Sequence, residues 1–501
     1  MNLSFPGGTD ALINSVSVYT EAVLGANSAM NCRWLNSATF TLFLSTALIA
    51  ACAPESKGVL FYVSALRGND SNNGSESSPW KTIQKAAKTV GAGATVIVSA
   101  GAYNERVQIR RSGSSGSPII YRAKGTVVMR GFTIDADYVH INGFEITNSR
   151  SDFPDSTGVF INGAHDEISG CYIHDIVNDA GVVISGRSAT GNNLVRSNMI
   201  SRARMAGVHV EGQNNVIEGN DISHTLKDPP GSVPISGADA DGLRFFGSGN
   251  IIRKNYIHDV HLTDVGNHAC FEGGAACPHI DAFQTWGPAS NITFEDNIVH
   301  WTDDGLSGQV PGVNPQWAMI ESKPGAAVTN LIFRNNIFMH ETNKFGPMNF
   351  DDGVGGPISN ISIVNNTFVR LNGPGAGNHG EYAILVNSRL GLLSNVTIQN
   401  NAFYDCGSSG WGYVNVNGFS ANVGYNAVYM TRGSAPAGGT NANDVWMVDP
   451  KFANFKGKDF HLLATSPLID AGVTVSEVSN DIDGVPRPQR LRHDIGAYEK
   501  P

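Results

Sequence analysis

The sequence predicts an all-β solenoid, in which short parallel strands stack coil upon coil behind an N-terminal capping helix. Three observations carry that prediction. The first is composition: 57 glycines in 501 residues, abundant asparagine and only 16% charged residues suit short strands and tight turns. The second is a glycine-led phrase of alternating apolar residues that recurs as Gly158-Val-Phe-Ile161, Gly181-Val-Val-Ile184, Gly207-Val-His-Val210 and Gly242-Leu-Arg-Phe245. The third is a second strand opened by asparagine: Asn193-Leu-Val195, Asn215-Val-Ile217, Asn250-Ile-Ile252, Asn291-Ile-Thr293, Asn330-Leu-Ile332, Asn360-Ile-Ser362 and Asn395-Val-Thr397. Asn193 and Asn215 stand 22 residues apart, the length of one coil, so longer intervals mark loops inserted into a constant frame. Asparagine suits such a turn because it tolerates left-handed backbone and its amide can bond the asparagine stacked on it.

Taken in order, residues 1–29 show no targeting pattern and read as an upstream extension. Residues 30–57 read as a lipoprotein signal and tether. Met30 opens the segment, Arg33 supplies a basic start, residues 40–51 an apolar core, and Leu48-Ile-Ala-Ala-Cys52 resembles a bacterial lipobox. The run is too short for a transmembrane helix. Cys52 then becomes the lipidated first residue of a membrane-anchored protein outside the cytoplasm, in the periplasm or at the cell surface. Residues 58–125 are expected to hold the N-terminal cap and first coils: a strand Val59-Leu-Phe-Tyr-Val63, then an amphipathic helix over 80–90 with Trp80, Ile83, Ala87 and Val90 on one face. Such a helix would cover sheet edges that could otherwise pair with another chain. The solenoid proper is expected over 126–447, and residues 448–501 as a C-terminal capping segment.

This opening resembles the N-terminal part of right-handed parallel β-helix proteins. The likeness rests on Tyr62-Val-Ser64, Gly68-Asn-Asp-Ser-Asn-Asn-Gly74, Pro79-Trp-Lys-Thr-Ile-Gln-Lys-Ala-Ala87 and Ala100-Gly-Ala-Tyr-Asn-Glu-Arg-Val107. The tail phrases Asp449-Pro-Lys-Phe452, Ser466-Pro-Leu-Ile-Asp-Ala-Gly472, Asp481-Ile-Asp-Gly484 and Asp494-Ile-Gly-Ala-Tyr498 resemble the terminal segment of many secreted β-helix proteins. Cys270 and Cys277 flank a Gly- and Ala-rich segment, a spacing that suits a disulfide-closed loop in an oxidising compartment, whereas zinc lacks a second ligand pair. Cys171 and Cys406 read as buried thiols. A net charge of −10 excludes a general nucleic-acid binder and requires local positive charge wherever a polyanion is met.

Chemistry concentrates in two matched phrases. Asp239-Ala-Asp241-Gly-Leu-Arg244-Phe-Phe246-Gly247 lies over His279-Ile-Asp281-Ala-Phe-Gln284-Thr-Trp286-Gly287. Alternation turns Val208 and Val210 inward and His209 and Glu211 outward, so His209, Arg244 and Gln284 form one outward row and Glu211, Phe246 and Trp286 another. Insertions at 226–238 and 261–278 precede the two phrases, and loops rising beside one face give a smooth solenoid a groove. Aromatic rings, a guanidinium and an imidazole suit a sugar polymer, with Gln284, Trp286, Glu211 and Phe246 as its contacts. Glu321, Lys323, Asp351 and Asp352, on later coils, read as solvated face and could extend the groove.

The β-helix resembles that of pectate, alginate and chondroitin lyases, which cleave acidic polysaccharides by β-elimination. That resemblance implies an acidic polysaccharide as partner, Arg244 beside Gln284 to neutralise the uronate carboxylate, and a base of near-neutral pKa. His279 is the first candidate for that base and His209 the second, with Asp281 beside them. It also implies calcium, for which Asp239, Asp241 and Asp281 are the oxygen ligands on offer. A hydrolase reading rests on His279-Ile-Asp281, Asn291-Ile-Thr-Phe294 and Asp303-Asp304-Gly305, similar to polygalacturonase-type motifs, with Asp281 and Asp303 or Asp304 as the carboxylate pair one coil apart. The Gly-His-Gly and Arg-x-Lys motifs expected downstream are missing. The third reading is a non-catalytic glycan-binding surface lipoprotein, in which Asp241 and Asp281 merely bond turn amides; under each reading the protein is expected to be a monomer.

Overall fold

The computed structural model describes residues 58–147, 157–177, 179–187, 190–225, 240–260, 280–302, 315–341, 346–371, 382–410, 412–432 and 434–501. Residues 1–57 therefore lie outside the described residues, and with them the lipobox and Cys52.

From strand Val59–Val63 onward the chain builds parallel sheets coil by coil. One coil contributes Val216–Glu218 to a flank sheet, Asp221–Ser223 to a back sheet and Asp241–Phe245 to a front sheet. The next coil repeats the sequence as Ile251–Arg253, Tyr256–His258 and Asp281–Thr285. Register is parallel and in step, with Val216 beside Ile251, Ile222 beside Ile257 and Leu243 beside Phe283. Inward residues fill the tube from all sides. Aromatic rings stack along its axis, Phe294 on Phe333 at 4.4 Å between centroids and Phe338 on Phe368 at 4.9 Å.

The glycines of the repeated phrase are there for space. A Cβ on Gly158 would lie 2.7 Å from Ile173, on Gly181 2.5 Å from Ile200, on Gly207 2.3 Å from Ile222 and on Gly242 2.5 Å from Ile257. Each front strand thus starts pressed against an isoleucine of the back sheet, and only a residue without a side chain allows the approach. Because Gly242 takes that inward place, Asp241 and Arg244 emerge together on the outer side, three residues apart.

The asparagines are stacked as expected, but at two adjacent positions of the turn instead of one. Asn193, Asn215 and Asn250 form a buried ladder, Asn215 Nδ2 donating to Asn250 Oδ1 at 3.0 Å. Asn291, Asn330, Asn360 and Asn395 form an exposed one at the preceding position, with φ of 54°, 56°, 57° and 51°. Of the two, left-handed backbone is confined to the second set. A longer buried ladder at the next turn, Asn198, Asn220, Asn255, Asn297, Asn336, Asn366, Asn401 and Asn426, is the principal spine. In it the Asn198 side-chain oxygen accepts from Cys171 N and each later one from the preceding asparagine, satisfying polar groups that burial would otherwise penalise.

The helix spans Ile83–Thr89, shorter at its start than expected. Thr82 is its N-cap, accepting from Lys85 N, and Glu105 accepts from Ile83 N and Gln84 N. Trp80 is held before the helix by Tyr62 O and by its own Nε1 donating to Asn72 O, while Ile83, Ala86 and Ala87 are buried.

At the other end, the segment after residue 447 packs along the side of the solenoid. Outward apolar residues of the back sheet, among them Ile337, Met339, Val369 and Ala402, share a second core with Phe452, Phe460, Leu468 and Ile495. Asn365 and Asn400 reach across to donate to Asp494 O and Val473 O. Arg487 and Glu499 form a fully buried pair at 3.0 Å within the segment. Cys171 and Cys406 are buried free thiols, whose burial pushes them up to about 11 and about 12.

Candidate functional site

The front sheet brings the expected rows together. His209 registers with Arg244 and Arg244 with Gln284, while Phe246 and Trp286 meet edge to face at 4.9 Å. His209 lies 5.3 Å from the Phe246 ring and its Nε2 stands 3.1 Å from Glu211 Oε1. That hydrogen bond holds the Glu211 carboxyl below the usual range, against a smaller opposing effect of burial.

Arg244 and Gln284 lie outside the core but are not solvated, keeping only 7% and 5% of their surface exposed. Arg244 Nε donates to Asp241 Oδ2 at 2.5 Å, and its guanidinium carbon lies 5.5 Å from the Trp286 ring centre. On the same indole, exposed Lys323 places its Nζ 4.8 Å from the ring centre. Gln284 Nε2 and Gln316 Nε2 donate to the two oxygens of Asp281, at 3.2 and 3.0 Å. Gln284 Oε1, buried, finds no hydrogen-bond donor among the described residues. Phe246, like Arg244, keeps only 7% of its surface exposed, so the reachable part of the arrangement is the half-buried indole of Trp286 with the ammonium of Lys323, backed by the guanidinium and two fully buried aspartates. It can stack a sugar ring and neutralise an anionic substituent.

His279, the first candidate base, lies outside the described residues. So do Asp239, the Cys270–Cys277 pair, and Asp303 and Asp304 of the hydrolase reading. Asp241 and Asp281 bond side chains of the site, Arg244, Gln284 and Gln316, in addition to any turn role. Among the described residues no group of three or more His, Cys, Asp or Glu could hold a metal. Of the acidic residues on later coils, Asp351 is buried and Asp352 fully so, and neither is part of a solvated face; Asp352 shows how such a group is held. Burial pushes it up, but donation from Leu390 N, Ser388 Oγ, Leu392 N and Arg389 N outweighs this and leaves it below the usual range. Asp351 pairs with Arg389 at 2.9 Å.

A second cluster lies outside the phrases singled out in the sequence. Tyr172-Ile-His174-Asp175 and Tyr256-Ile-His258-Asp259 are the same tetrapeptide on the back sheet, a recurrence that could have revealed it. Each imidazole stacks on its tyrosine at 4.0 Å and sets Nδ1 against the following aspartate, at 2.6 and 2.8 Å. His258 also meets Asp221 through Nε2 at 2.9 Å. Burial alone would lower it, but the two carboxylates raise it to about 9.

These coils define a right-handed parallel β-helix, and residues 61–259 match the family model described as Pel9A-like, right handed beta helix region. Among solved structures, pectate lyase Pel9A superposes with a TM-score of 0.54 at 18% identity, covering 89% of this chain and 97% of that one. A variant of the PL6 family alginate lyase AlyGC superposes with a TM-score of 0.50 at 14% identity, covering 77% of this chain and 55% of that one. At such identities the likeness is one of fold. The uncharacterized protein YwoF of Bacillus subtilis (strain 168) is 29% identical over 168 residues, which span 33% of this chain and 32% of that relative. The match thus covers about a third of that curated relative's length.

Proposed function

We propose that this protein is a carbohydrate-active enzyme that cleaves a uronate-containing polysaccharide by β-elimination. The observation that carries the proposal is Arg244, a guanidinium fixed by Asp241 on the outer side of the front sheet and set against Trp286. Elimination removes the proton α to a carboxylate, so the carboxylate must be neutralised as charge develops on it. Arg244 supplies that positive charge, with Lys323 on the same indole, while Trp286, propped by the buried Phe246 ring, binds a sugar ring. His279 is the first choice for the base, and His209, oriented by Glu211, the second. The solved pectate and alginate lyases that share the fold support this substrate class. We place the protein outside the cytoplasm, anchored through Cys52; metabolic labelling with palmitate, lost in Cys52→Ala, tests the anchor.

Incubation of the purified protein with pectate, alginate and glycosaminoglycans tests the reaction. New ultraviolet-absorbing unsaturated ends are expected. Reducing ends without that absorbance would replace the lyase by a hydrolase, and binding with neither product would leave a glycan-binding protein.

A further inference from the structure

Calcium is the ion that the resemblance to acidic-polysaccharide lyases implies for the front face, and the described donors do not fit it. A calcium ion takes about six to eight oxygen ligands. Here Asp241 Oδ2 accepts from Arg244 Nε at 2.5 Å, so a positive charge already stands against that carboxylate. Asp281 Oδ1 and Oδ2 accept from Gln316 Nε2 and Gln284 Nε2. The two amides therefore turn nitrogen, not oxygen, toward the carboxylate, and a cation placed there would face N–H dipoles of the wrong sign. Asp241 and Asp281 are both fully buried, and the register sets them one coil apart, about 4.8 Å along the stack. A carboxylate so dry needs a positive charge or hydrogen bonds beside it.

We propose that Arg244 is the built-in counter-ion of Asp241, and that the described carboxylates of the front face, Asp241 and Asp281, take no divalent metal. The guanidinium holds the place of the ion: it compensates Asp241 from within and turns toward Trp286, where it meets the uronate carboxylate. The proposal rests on the front face being the lyase site. It differs from a metal site in one testable respect, because a guanidinium stays with the chain when divalent ions are stripped away.

Calcium titration of the chelator-treated protein by calorimetry tests it without any turnover. No binding that depends on Asp241 is expected below about 1 mM, the weak end of protein calcium sites. The melting temperature is expected to be the same in chelator and in calcium. Arg244→Gln removes the counter-ion and is expected to gain calcium affinity by at least about tenfold, or to need calcium to fold. Wild-type calcium binding that Asp241→Asn abolishes would overturn the proposal, as would a wild-type melting temperature that falls in chelator and is restored by calcium. Failure to cleave any acidic polysaccharide would instead sink the lyase reading, since the titration is blind to activity.

Discussion

Arg244 combines two properties that rarely meet: it is charged on the outer side of a β-sheet, and only 7% of it is exposed. Burying a guanidinium is tolerable because Asp241 bonds it, and a lysine could offer the charge but not the planar fork that spans carboxylate and ring. Arg244→Lys is therefore expected to lower kcat/KM by about a hundredfold or more, measured on whichever acidic polysaccharide is cleaved. Trp286→Ala removes the ring shared by Arg244, Lys323 and Phe246 and should raise KM about tenfold with a smaller effect on kcat. On the back sheet, His258 gives a pH signature. Its pKa is raised above that of the unfolded chain, so the stability it contributes is fully present below about pH 6.5 and is lost as pH rises through about 9. Urea unfolding near each limit should show a decline on the order of 3 kcal/mol, flattened in His258→Gln. The row of His209, Arg244 and Gln284 was legible in the sequence because period-two alternation fixes which side a strand residue faces. The place of Lys323 was not, because it lies past the end of its strand, at a turn where alternation no longer tells direction.

At the scale of single elements, the buried and exposed asparagine ladders differ in what a substitution removes. Asn297 Oδ1 accepts from the backbone and side chain of Asn255, and its Nδ2 donates to Ile252 O and Asn336 Oδ1. Asn297→Ala strands those partners away from water and is expected to cost about 1–3 kcal/mol in equilibrium unfolding. Asn330→Gly, on the exposed ladder, keeps the left-handed backbone available and should stay within about 0.5 kcal/mol. The two ladders merged in the sequence because they differ by one position, and an inserted loop hides a one-residue phase shift. The helix starts later than its periodicity predicts for a related reason. Trp80 falls on the apolar face by periodicity, yet its backbone is already bonded to Tyr62, and Thr82 caps the helix after it. In the repeated phrases the spacing itself betrayed the fold, since each glycine answers an isoleucine one sheet away.

For the whole molecule, the segment after residue 447 covers apolar side chains that the solenoid turns outward. Removing residues 448–501 is expected to expose Ile337, Met339, Val369 and Ala402 and to yield aggregated protein by size-exclusion chromatography. The architecture was readable because repetition multiplies a weak local signal; the site was half readable because its loops do not repeat. Along the spine, successive asparagines are 22 residues apart between Asn198 and Asn220 but 42 between Asn255 and Asn297, while the backbone-to-side-chain bond stays at 3.1 Å. Chain length added between coils is thus invisible to the spine. The solenoid behaves as a rack with fixed slots, in which the working face can be rebuilt one insertion at a time while the spacing of the rungs remains the same.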